Sequence, residues 1–240
     1  MVNIEGSTVL VTGANRGIGQ ALVAEALNRG ADRVYAGMRQ PVTHPDPRVV
    51  PMMLDVTSAA QIESAAAQVG ELDVLINNAG IALFDDLSDR AVLEQHLAVN
   101  LFGIYGVVQA FVPALSRSGG AIVNNLSLNS LAPMPVIPAY SVSKAAAFSL
   151  TQSLRTQLAP AGIRVHAVLT GPVDTDMTRG FDIPKASASS VAQAIFNGMA
   201  AGEEDIFPDP LSATLAEGWR GGVSKGLEVQ LAGLAAAAAA

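Results

Sequence analysis

The chain has 240 residues, 50% of them hydrophobic and 15% charged, and its net charge of −7 includes no basic run that would neutralise nucleic-acid phosphates. A mean hydropathy of +0.36 favours a buried core over disorder, and we interpret residues 1–240 as one domain of ordinary α/β size. The lack of cysteine excludes disulfides and thiolate sites, and three scattered histidines (His44, His96 and His166) lack metal-ligand spacing, so we expect no metal.

Short apolar runs alternate with helical segments along the whole chain. The predicted strands are residues 7–12, 33–37, 49–54, 74–77, 121–124, 164–169 and 205–207. The predicted helices are residues 18–28, 59–68, 89–115, 139–158 and 190–201. Strands that are apolar on both faces and separated by helices indicate a parallel sheet with helices on both faces.

The two ends of the chain carry little functional information. The first residues lead directly into the first predicted strand, without a cationic leader or a long apolar stretch. No segment reaches the roughly 18 consecutive apolar residues that would span a bilayer. We therefore expect a cytoplasmic protein with no membrane partner. The alanine-rich tail 235–240 either extends a terminal helix or frays, and we assign it no function.

A glycine-rich loop, residues 12–19 (TGANRGIG), connects the first predicted strand to the first predicted helix. A dinucleotide pyrophosphate binds where a strand, a glycine turn and a helix N-terminus follow in this order, because unpaired backbone N–H groups there point at the phosphates. The alternative is an ordinary glycine-rich turn, but the flanking strand and helix favour the dinucleotide site.

The end of the second predicted strand indicates which nucleotide binds. An acidic residue there would bind the ribose 2′-hydroxyl of NAD, whereas this strand ends at Met38-Arg39 without a carboxylate. Arg39, helped by Arg16, is suited to hold the 2′-phosphate of NADP by charge-assisted hydrogen bonds. The alternative is that both arginines are solvated loop residues. We expect NADP(H) as the cofactor.

Tyr140 and Lys144 are spaced at i and i+4 in a predicted helix, so their side chains share one face. An ammonium beside a phenol favours the phenolate, and we therefore expect Lys144 to lower the pKa of Tyr140 toward neutrality. Such a pair taken alone usually marks a half-exposed helix surface. Its functional meaning depends on the motifs around it.

With the glycine loop and the segment 77–80 (NNAG), the Tyr140/Lys144 pair resembles the short-chain dehydrogenase/reductase family over residues 7 to about 207. The resemblance implies a Rossmann-type, doubly wound, seven-stranded parallel sheet and hydride transfer between NAD(P) and a carbonyl or alcohol. The cofactor-binding residues that it implies are Gly13, Asn15, Arg16, Gly17, Ile18, Gly19, Arg39, Asp55, Val56, Asn77, Ala79, Gly80, Tyr140, Lys144, Gly171, Pro172, Val173 and Thr175.

The same resemblance implies four catalytic residues, which are Asn100, Ser127, Tyr140 and Lys144. Tyr140 would exchange a proton with the substrate oxygen as general acid/base, and Ser127 would hydrogen-bond the same oxygen. Lys144 would lower the tyrosine pKa and bond the nicotinamide ribose. Asn100 would order a water beside Lys144; the alternative is that it caps an irregular turn of its own helix.

Two positions depart from the family pattern. Leu126 stands where the family often has a serine next to Ser127, and Thr170 stands where it commonly has proline. We expect Thr170 to loosen the turn at the nicotinamide edge, although neither departure removes a catalytic group. We interpret His96 and His166 as half-buried structural residues.

The segments expected to face the substrate are apolar. Residues 128–138 lead from the serine toward the tyrosine, and residues 173–183 would form a lid with Met177, Phe181 and Ile183 as apolar contacts. The basic residues near these segments, Arg179 and Lys185, are isolated and form no cluster that would bind a phosphate or a multiply charged acid. We therefore expect a neutral, hydrophobic ketone or aldehyde as the small-molecule substrate.

The C-terminal part of the chain, from about residue 176 to residue 240, is expected to supply the lid and a substrate-side segment. Residues 211–234, which include Trp219, would either cover the substrate site or pack at an interface. The family resemblance implies a homodimer or homotetramer in which the long helices 89–115 and 139–158 meet across the interface.

Two other functions are compatible with parts of this pattern. A sugar-nucleotide epimerase or dehydratase also uses such a tyrosine–lysine pair, but it needs a larger C-terminal domain than the chain after Thr175 provides. A non-catalytic NADP(H)-binding redox sensor or scaffold would be expected to lack part of the catalytic set. Because all four residues are present, we favour a carbonyl reductase or alcohol dehydrogenase.

Overall fold

Seven parallel strands form one sheet in the computed structural model, which describes residues 3–238. The strands are β1 (Thr8–Thr12), β2 (Arg33–Met38), β3 (Val49–Met53), β4 (Val74–Asn77), β5 (Ala121–Asn125), β6 (Arg164–Val168) and β7 (Asp205–Ile206). Their order across the sheet is β3-β2-β1-β4-β5-β6-β7, and every neighbouring pair is parallel. The strand order reverses between β1 and β4, which is where doubly wound sheets bind their ligands. The predicted fold class is confirmed.

Helices connect the strands and cover the sheet on both faces. The α-helices of the described residues are α1 (Gly17–Asn28), α2 (Ala59–Gln68), α3 (Arg90–Leu97), α4 (Ile104–Ser118), α5 (Pro138–Leu158), α6 (Ala188–Ala201), α7 (Pro210–Ala213), α8 (Ala216–Arg220) and α9 (Val223–Ala238). The predicted strands and helices begin and end within a few residues of these bounds. Of the alanine-rich tail, α9 includes residues up to Ala238, and residues 239–240 lie outside the described part.

Two apolar cores hold the helices against the sheet. On one face, α1 and α6 contribute the fully buried side chains of Leu22 and Phe196. On the other face, α2, α4 and α5 contribute Ile62, Phe111 and Phe148. Burial of each such side chain stabilises the fold by about 1.5–3 kcal/mol. The two cores therefore fix the strand ends from which the functional loops leave.

The predicted helix 89–115 contains an irregular turn that periodicity does not reveal. Regular α3 ends at Leu97, the segment Ala98–Gly103 is π-helical, and α4 begins at Ile104. A π turn places one extra residue in the helix, and such turns occur frequently at functional sites. Here the turn carries Asn100 into the interior, where its side chain is 0% exposed.

The continuous helix Arg90–Ser118 is, by length and composition, apolar enough to cross a membrane. The expectation that no segment of the chain reaches this level is therefore wrong. The same composition is typical of a core helix, and Val107, Val108 and Phe111 of its α4 part are fully buried in the protein. Packing against the sheet accounts for part of this hydropathy, since 39% of the apolar window is buried.

The C-terminal helices are anchored on α5 and on β7. The indole Nε1 of Trp219 donates to Asp205 Oδ2 at 2.8 Å, and its ring packs on Phe148 with centroids 5.4 Å apart. Arg155 of α5 pairs with Glu228 of α9 at 2.6 Å. A groove of about 540 Å³ separates α5 from α9 and extends to Leu131, in the segment that follows Ser127. The C-terminal segment therefore packs within its own subunit.

Replacing Asp205 by alanine should destabilise the fold, because this carboxylate of β7 forms ion pairs with cations of α5 and of the C-terminal helix α9. Its side chain is 3% exposed and pairs with Arg155 and with Lys225, whose Nζ lies 3.0 Å from Oδ2. Removal leaves a buried guanidinium with fewer partners, and we expect the free energy of unfolding in urea to fall by about 3–5 kcal/mol. In the control Glu94→Ala, which breaks an exposed ion pair with Arg90, stability should stay unchanged. Equal losses in the two variants would contradict this anchoring role.

Candidate active site

The ends of four strands bring the predicted motifs to one edge of the sheet. The glycine loop follows β1, residues 78–84 follow β4, Ser127 follows β5, and residues 170–178 follow β6. The carboxyl ends of parallel strands share one edge of a sheet. The N-terminal half of α5 reaches the same edge, because Lys144 Nζ donates to the backbone oxygen of Asn125 at 2.8 Å.

The glycine loop has a backbone that requires glycine at three positions. Gly13 and Gly17 have φ angles of 65° and 54°, in the left-handed region. A Cβ on Gly19 would lie 2.1 Å from the carbonyl oxygen of Gly13. Among the described residues no side chain caps the N-terminus of α1, so its first backbone N–H groups can meet an anion. This cradle fits the pyrophosphate of a dinucleotide.

Asn78 connects the glycine loop to the end of β4. Its side-chain Nδ2 donates to the backbone oxygens of Thr12 and Gly13 at 3.1 and 3.2 Å. In return, Thr12 Oγ1 accepts from the backbone N–H groups of Asn78 and Ala79 at 3.0 and 3.1 Å. Sequence reasoning placed Asn77, Ala79 and Gly80 beside the cofactor and missed Asn78, although it belongs to the same motif.

The two arginines that the sequence grouped together have different neighbours. Arg16 is exposed and pairs with Asp176 of the predicted lid at 3.2 Å. Arg39 is also exposed, and its charge helps to lower the pKa of Asp55. The largest cause of that lowered pKa is the hydrogen bond from the backbone N–H of Thr57 to the carboxylate. Arg39 therefore lies beside Asp55, at the predicted adenine side of the cofactor.

Val56 and Gly103 bring the predicted adenine side against the long helix. Val56 is 8% exposed, and a Cβ on Gly103 would lie 2.8 Å from its Cγ2. The backbone of Asp55, one residue earlier, donates to the Gln61 side chain at 2.8 Å. The helix that carries Asn100 thus packs directly under the end of β3.

Tyr140 and Lys144 lie side by side on α5, as their spacing predicts. The Lys144 Nζ is 5.7 Å from the centroid of the tyrosine ring. Both side chains are buried, with 8% and 4% of their surface exposed. The interpretation as an ordinary half-exposed surface pair is therefore wrong.

Burial sets the pKa values of this pair. Desolvation raises the pKa of Tyr140 to about 12, and an interaction with Ser127 opposes the rise. Desolvation lowers the pKa of Lys144 to about 8. The expectation that Lys144 draws the tyrosine pKa toward neutrality is wrong, because the loss of water disfavours both charged forms. At pH 7 the site holds a neutral phenol beside an ammonium group.

Asn100 joins the π turn to the segment after β4. Its Oδ1 accepts from the backbone N–H of Ile81 at 2.9 Å, and its Nδ2 donates to Ile81 O and to Ser143 Oγ, both at 2.9 Å. Gly80 lies between Asn100 and Lys144, since a Cβ there would be 3.2 Å from Asn100 Oδ1 and 3.7 Å from Lys144 Nζ. Asn100 thus sits within an irregular turn, as the structural alternative supposed, and it also lies close to the lysine.

Ser127 and His96 are both neighbours of Tyr140. Ser127 is 8% exposed, and its Oγ accepts from the backbone N–H of Asn129 at 3.1 Å. The His96 ring lies edge-on to the tyrosine ring, with centroids 6.3 Å apart. Its Nε2 accepts from the backbone N–H of Leu83 at 3.0 Å, and its Nδ1 contacts the oxygen of Val92 at 2.8 Å.

The two histidines are more deeply buried than we predicted. His96 is 0% exposed and His166 is 2% exposed, so neither is half-buried. His96 fixes the backbone at Leu83, close to the candidate site. His166 lies in β6, where its Nδ1 contacts the oxygen of Glu203 at 2.6 Å.

A buried aspartate from the C-terminal segment holds the turn after β6. Asp209 is 4% exposed, and its carboxylate accepts from the backbone N–H groups of Gly171, Leu211 and Ser212. A Cβ on Gly171 would lie 2.6 Å from Asp209 Oδ1, so this position has room for glycine only. No local pattern in the sequence links Asp209 to Gly171, and sequence reasoning missed it.

The predicted lid residues lie next to the glycine loop. A Cβ on Gly17 would lie 3.0 Å from Cγ2 of Thr175, so the two segments are in contact. Val173 is 3% exposed and forms a parallel bridge with Ala186, which closes the lid segment at its base.

The segments after β4 and β6 carry four apolar side chains, Phe84, Met177, Phe181 and Ile183, which we call the apolar rim. Phe84 is 71% exposed, and its ring lies 5.7 Å from that of Phe181, one of the predicted lid contacts. Met177 and Ile183 of the lid are 48% and 44% exposed. Phe84 was missed by sequence reasoning, although it closely follows the segment 77–80 in the chain. Exposed apolar side chains gathered at one place are typical of a binding surface.

Known proteins are similar to this chain in both sequence and fold. A family model described as short chain dehydrogenase matches residues 7–185. An uncharacterized oxidoreductase from Staphylococcus epidermidis is 32% identical over 213 residues, covering 81% of this chain and 91% of that protein. Oxidoreductase UcpA from Salmonella typhimurium is 29% identical over 216 residues, covering 81% of this chain and 82% of that protein.

Among solved structures, a short chain dehydrogenase from Burkholderia cenocepacia was crystallised in complex with NADP. It is 35% identical, superposes with a TM-score of 0.87, and covers 95% of this chain and 98% of its own. The glycine cradle, the buried tyrosine–lysine pair and the sheet order agree with these similarities. The chain is a member of the short-chain dehydrogenase/reductase family of oxidoreductases.

Proposed function

We propose that this oxidoreductase is an NADP(H)-dependent carbonyl reductase or alcohol dehydrogenase that acts on a neutral, hydrophobic ketone or aldehyde. The observation that carries the proposal is the buried cluster of Ser127, Tyr140 and Lys144 at the carboxyl edge of the sheet. A serine hydroxyl, a neutral phenol and an ammonium form the set of groups that a carbonyl needs when it gains a proton on oxygen.

Tyr140 donates the proton to the substrate oxygen in the direction of reduction. Its pKa of about 12 keeps the phenol protonated at pH 7, and the ammonium of Lys144, 5.7 Å from the ring centroid, offsets part of the desolvation cost of the phenolate that remains after transfer. Ser127 hydrogen-bonds the same oxygen and fixes its orientation. A nicotinamide held at this site would supply the hydride, while the residues of the protein contribute position and electrostatics.

Asn100 holds the backbone next to this cluster in place. By holding the backbone of Ile81 on both its N–H and its oxygen, it fixes the neighbouring Gly80 against Lys144. We propose that this arrangement keeps the space around the lysine open for the ribose hydroxyls and for a water that resupplies the proton. The bond from Asn100 to Ser143 ties the π turn to α5, so the asparagine and Lys144 keep a fixed separation.

Arg39 is the residue that we assign to the 2′-phosphate of NADP. Arg16 already has a carboxylate partner in Asp176, whereas Arg39 is exposed at the end of β2, beside Asp55. The Burkholderia relative, 35% identical, was crystallised with NADP, which supports the same cofactor here. A guanidinium at this place binds a phosphate by charge-assisted hydrogen bonds.

Replacing Arg39 by alanine should weaken NADPH binding by about 10- to 100-fold and leave NADH binding unchanged, since only NADPH carries the phosphate. Titration of nucleotide fluorescence measures both dissociation constants. The control is Arg33→Ala, which removes an exposed arginine from the opposite end of the same strand. If both nucleotides weaken equally, or neither does, Arg39 does not select NADP.

The apolar rim supports the proposed substrate class. Phe84, Met177 and Ile183 are exposed, and Phe84 packs on the half-buried Phe181, in the segments that follow β4 and β6. The arginine of the lid, Arg179, is engaged by Asp176. The surface offered to a substrate is thus predominantly apolar, which favours uncharged ketones or aldehydes over phosphorylated ones.

The deciding experiment follows nucleotide oxidation over a panel of neutral aryl and alkyl ketones and aldehydes. Turnover with NADPH and little with NADH is the expected result. Tight binding of NADPH without turnover on any carbonyl would favour a redox sensor or scaffold instead.

We further propose that the chain forms a homodimer or homotetramer through the outer faces of the long helices. Phe102, just before α4, is 61% exposed, and Tyr105 of α4 is 50% exposed. Val142 of α5 is 45% exposed. When exposed apolar side chains of neighbouring helices form one patch, that patch is typical of a subunit interface. Light scattering coupled to size-exclusion chromatography measures the molar mass in solution and therefore the oligomeric state.

A further inference from the structure

Three polar side chains form a continuous hydrogen-bonded chain across the ends of β6, β5 and β4. The Thr170 hydroxyl donates to Asn125 Oδ1 at 2.9 Å. Asn125 Nδ2 donates to Asn78 Oδ1 at 3.0 Å. Asn78 Nδ2 donates in turn to the backbone oxygen of Gly13 at 3.2 Å. We refer to Asn78, Asn125 and Thr170 as the amide chain.

Asn78 determines which atom donates and which accepts in every hydrogen bond of the amide chain. The backbone oxygens of Thr12 and Gly13 can only accept, so Asn78 must turn its NH₂ group toward them and its oxygen toward Asn125. Asn125 must then present its own NH₂ group to Asn78, which turns its oxygen toward Thr170. That oxygen requires the Thr170 hydroxyl as a donor. A hydroxyl at position 170 is therefore needed to complete the chain.

Asn125 and Thr170 of the amide chain are buried and Asn78 is half-buried, so the bond between the first two is shielded from water. Asn125 is 7% exposed and Thr170 is 6% exposed. A polar group in such a place loses free energy when it has no partner, which disfavours every arrangement except the bonded one. The expectation that Thr170 loosens the turn is therefore wrong, because its side chain ties the turn to β5.

Asn125 also has a direct connection to the candidate catalytic lysine. Its backbone oxygen accepts from Lys144 Nζ at 2.8 Å, while its side chain is held from both sides by Asn78 and Thr170. Thr170 directly precedes Gly171, where the nicotinamide-side turn begins. One residue thus connects the glycine loop, the lysine and that turn.

We propose that Asn125 and Thr170 are positioning residues, which set the distance between Lys144 and the nicotinamide-side turn for the proposed hydride transfer. The inference rests on the proposed function, but its structural part is testable without turnover. A second asparagine–threonine pair provides a matched comparison. Asn124 Nδ2 donates to Thr151 Oγ1 at 2.9 Å, and Thr151 is 0% exposed on α5.

The experiment compares Thr170→Val, Thr170→Ser and Thr151→Val in the full chain. Each valine variant removes one buried hydroxyl and leaves one side-chain atom of an asparagine without its partner, Oδ1 of Asn125 or Nδ2 of Asn124, and both should lower Tm. Only Thr170→Val should lower kcat, by about three- to tenfold, which corresponds to one lost hydrogen bond. Thr170→Ser restores the donor and should return kcat to within about twofold of the wild type.

Hydrogen exchange of the protein without nucleotide gives a second readout. Exchange of backbone amides in residues 171–176 should accelerate about three- to tenfold in Thr170→Val and stay unchanged in Thr151→Val. Wild-type kcat together with wild-type exchange in Thr170→Val would overturn the proposal. So would equal changes in the two valine variants, since these would reflect general loosening. If the wild type reduces no carbonyl, the proposed function fails, while the exchange comparison still decides the role of Thr170.

Discussion

Replacing Tyr140 by phenylalanine should lower kcat for carbonyl reduction by about 10²- to 10⁴-fold, the usual contribution of a general acid. The phenol interacts with Ser127, its ring centroid lies 5.7 Å from Lys144 Nζ, and its pKa of about 12 keeps it protonated at neutral pH. Phenylalanine preserves the ring and its contact with His96 but cannot donate a proton. Steady-state kinetics at pH 7 measures the loss.

The dissociation constant of NADPH separates catalysis from damage to the fold. It should change little in Tyr140→Phe, because the glycine loop and Arg39 are untouched. The control is Tyr35→Phe, which removes a hydroxyl from a tyrosine that is equally buried, 7% exposed, on β2. Near-normal turnover in Tyr140→Phe, or a comparable loss in Tyr35→Phe, would rule out Tyr140 as the proton donor.

Replacing Gly19 by alanine should abolish most nucleotide binding, with a loss of at least about 100-fold in affinity for NADPH. The added Cβ would lie 2.1 Å from Gly13 O and 2.6 Å from Asn78 Nδ2. The first of these atoms is backbone and the second belongs to the amide chain, so neither can yield without opening the loop. Isothermal titration calorimetry measures the affinity.

A glycine with open space provides the comparison for Gly19. Among the described residues, no atom outside its own helix lies within 4 Å of the place that a methyl group on Gly226 of α9 would occupy, so Gly226→Ala should bind NADPH normally. It should be at least as stable as the wild type, because alanine favours a helix more than glycine does. Retention of NADPH affinity in Gly19→Ala would show that the close approach of the loop does not matter for binding.

The sequence by itself predicted the seven strands and the helices α1, α2, α5 and α6 to within a few residues, but not α7 to α9 or the break between α3 and α4. Runs such as residues 74–77 form strands because an extended segment with apolar residues on both faces buries both of them only inside a sheet that helices cover on each side. The glycine loop and the spacing of Tyr140 and Lys144 are likewise local patterns, which depend on backbone geometry over a few residues. Local rules of this kind apply before the chain has folded.

Only the tertiary structure decided the electrostatics and the cross-links of the site. The pKa of Tyr140 rises because its helix is buried, and no spacing along the chain indicates how much water a side chain loses. The π turn at Asn100, the bond from Asp209 to Gly171 and the link between Asn125 and Thr170 join distant segments. They depend on which strand ends lie side by side, so they exist only once the sheet has assembled.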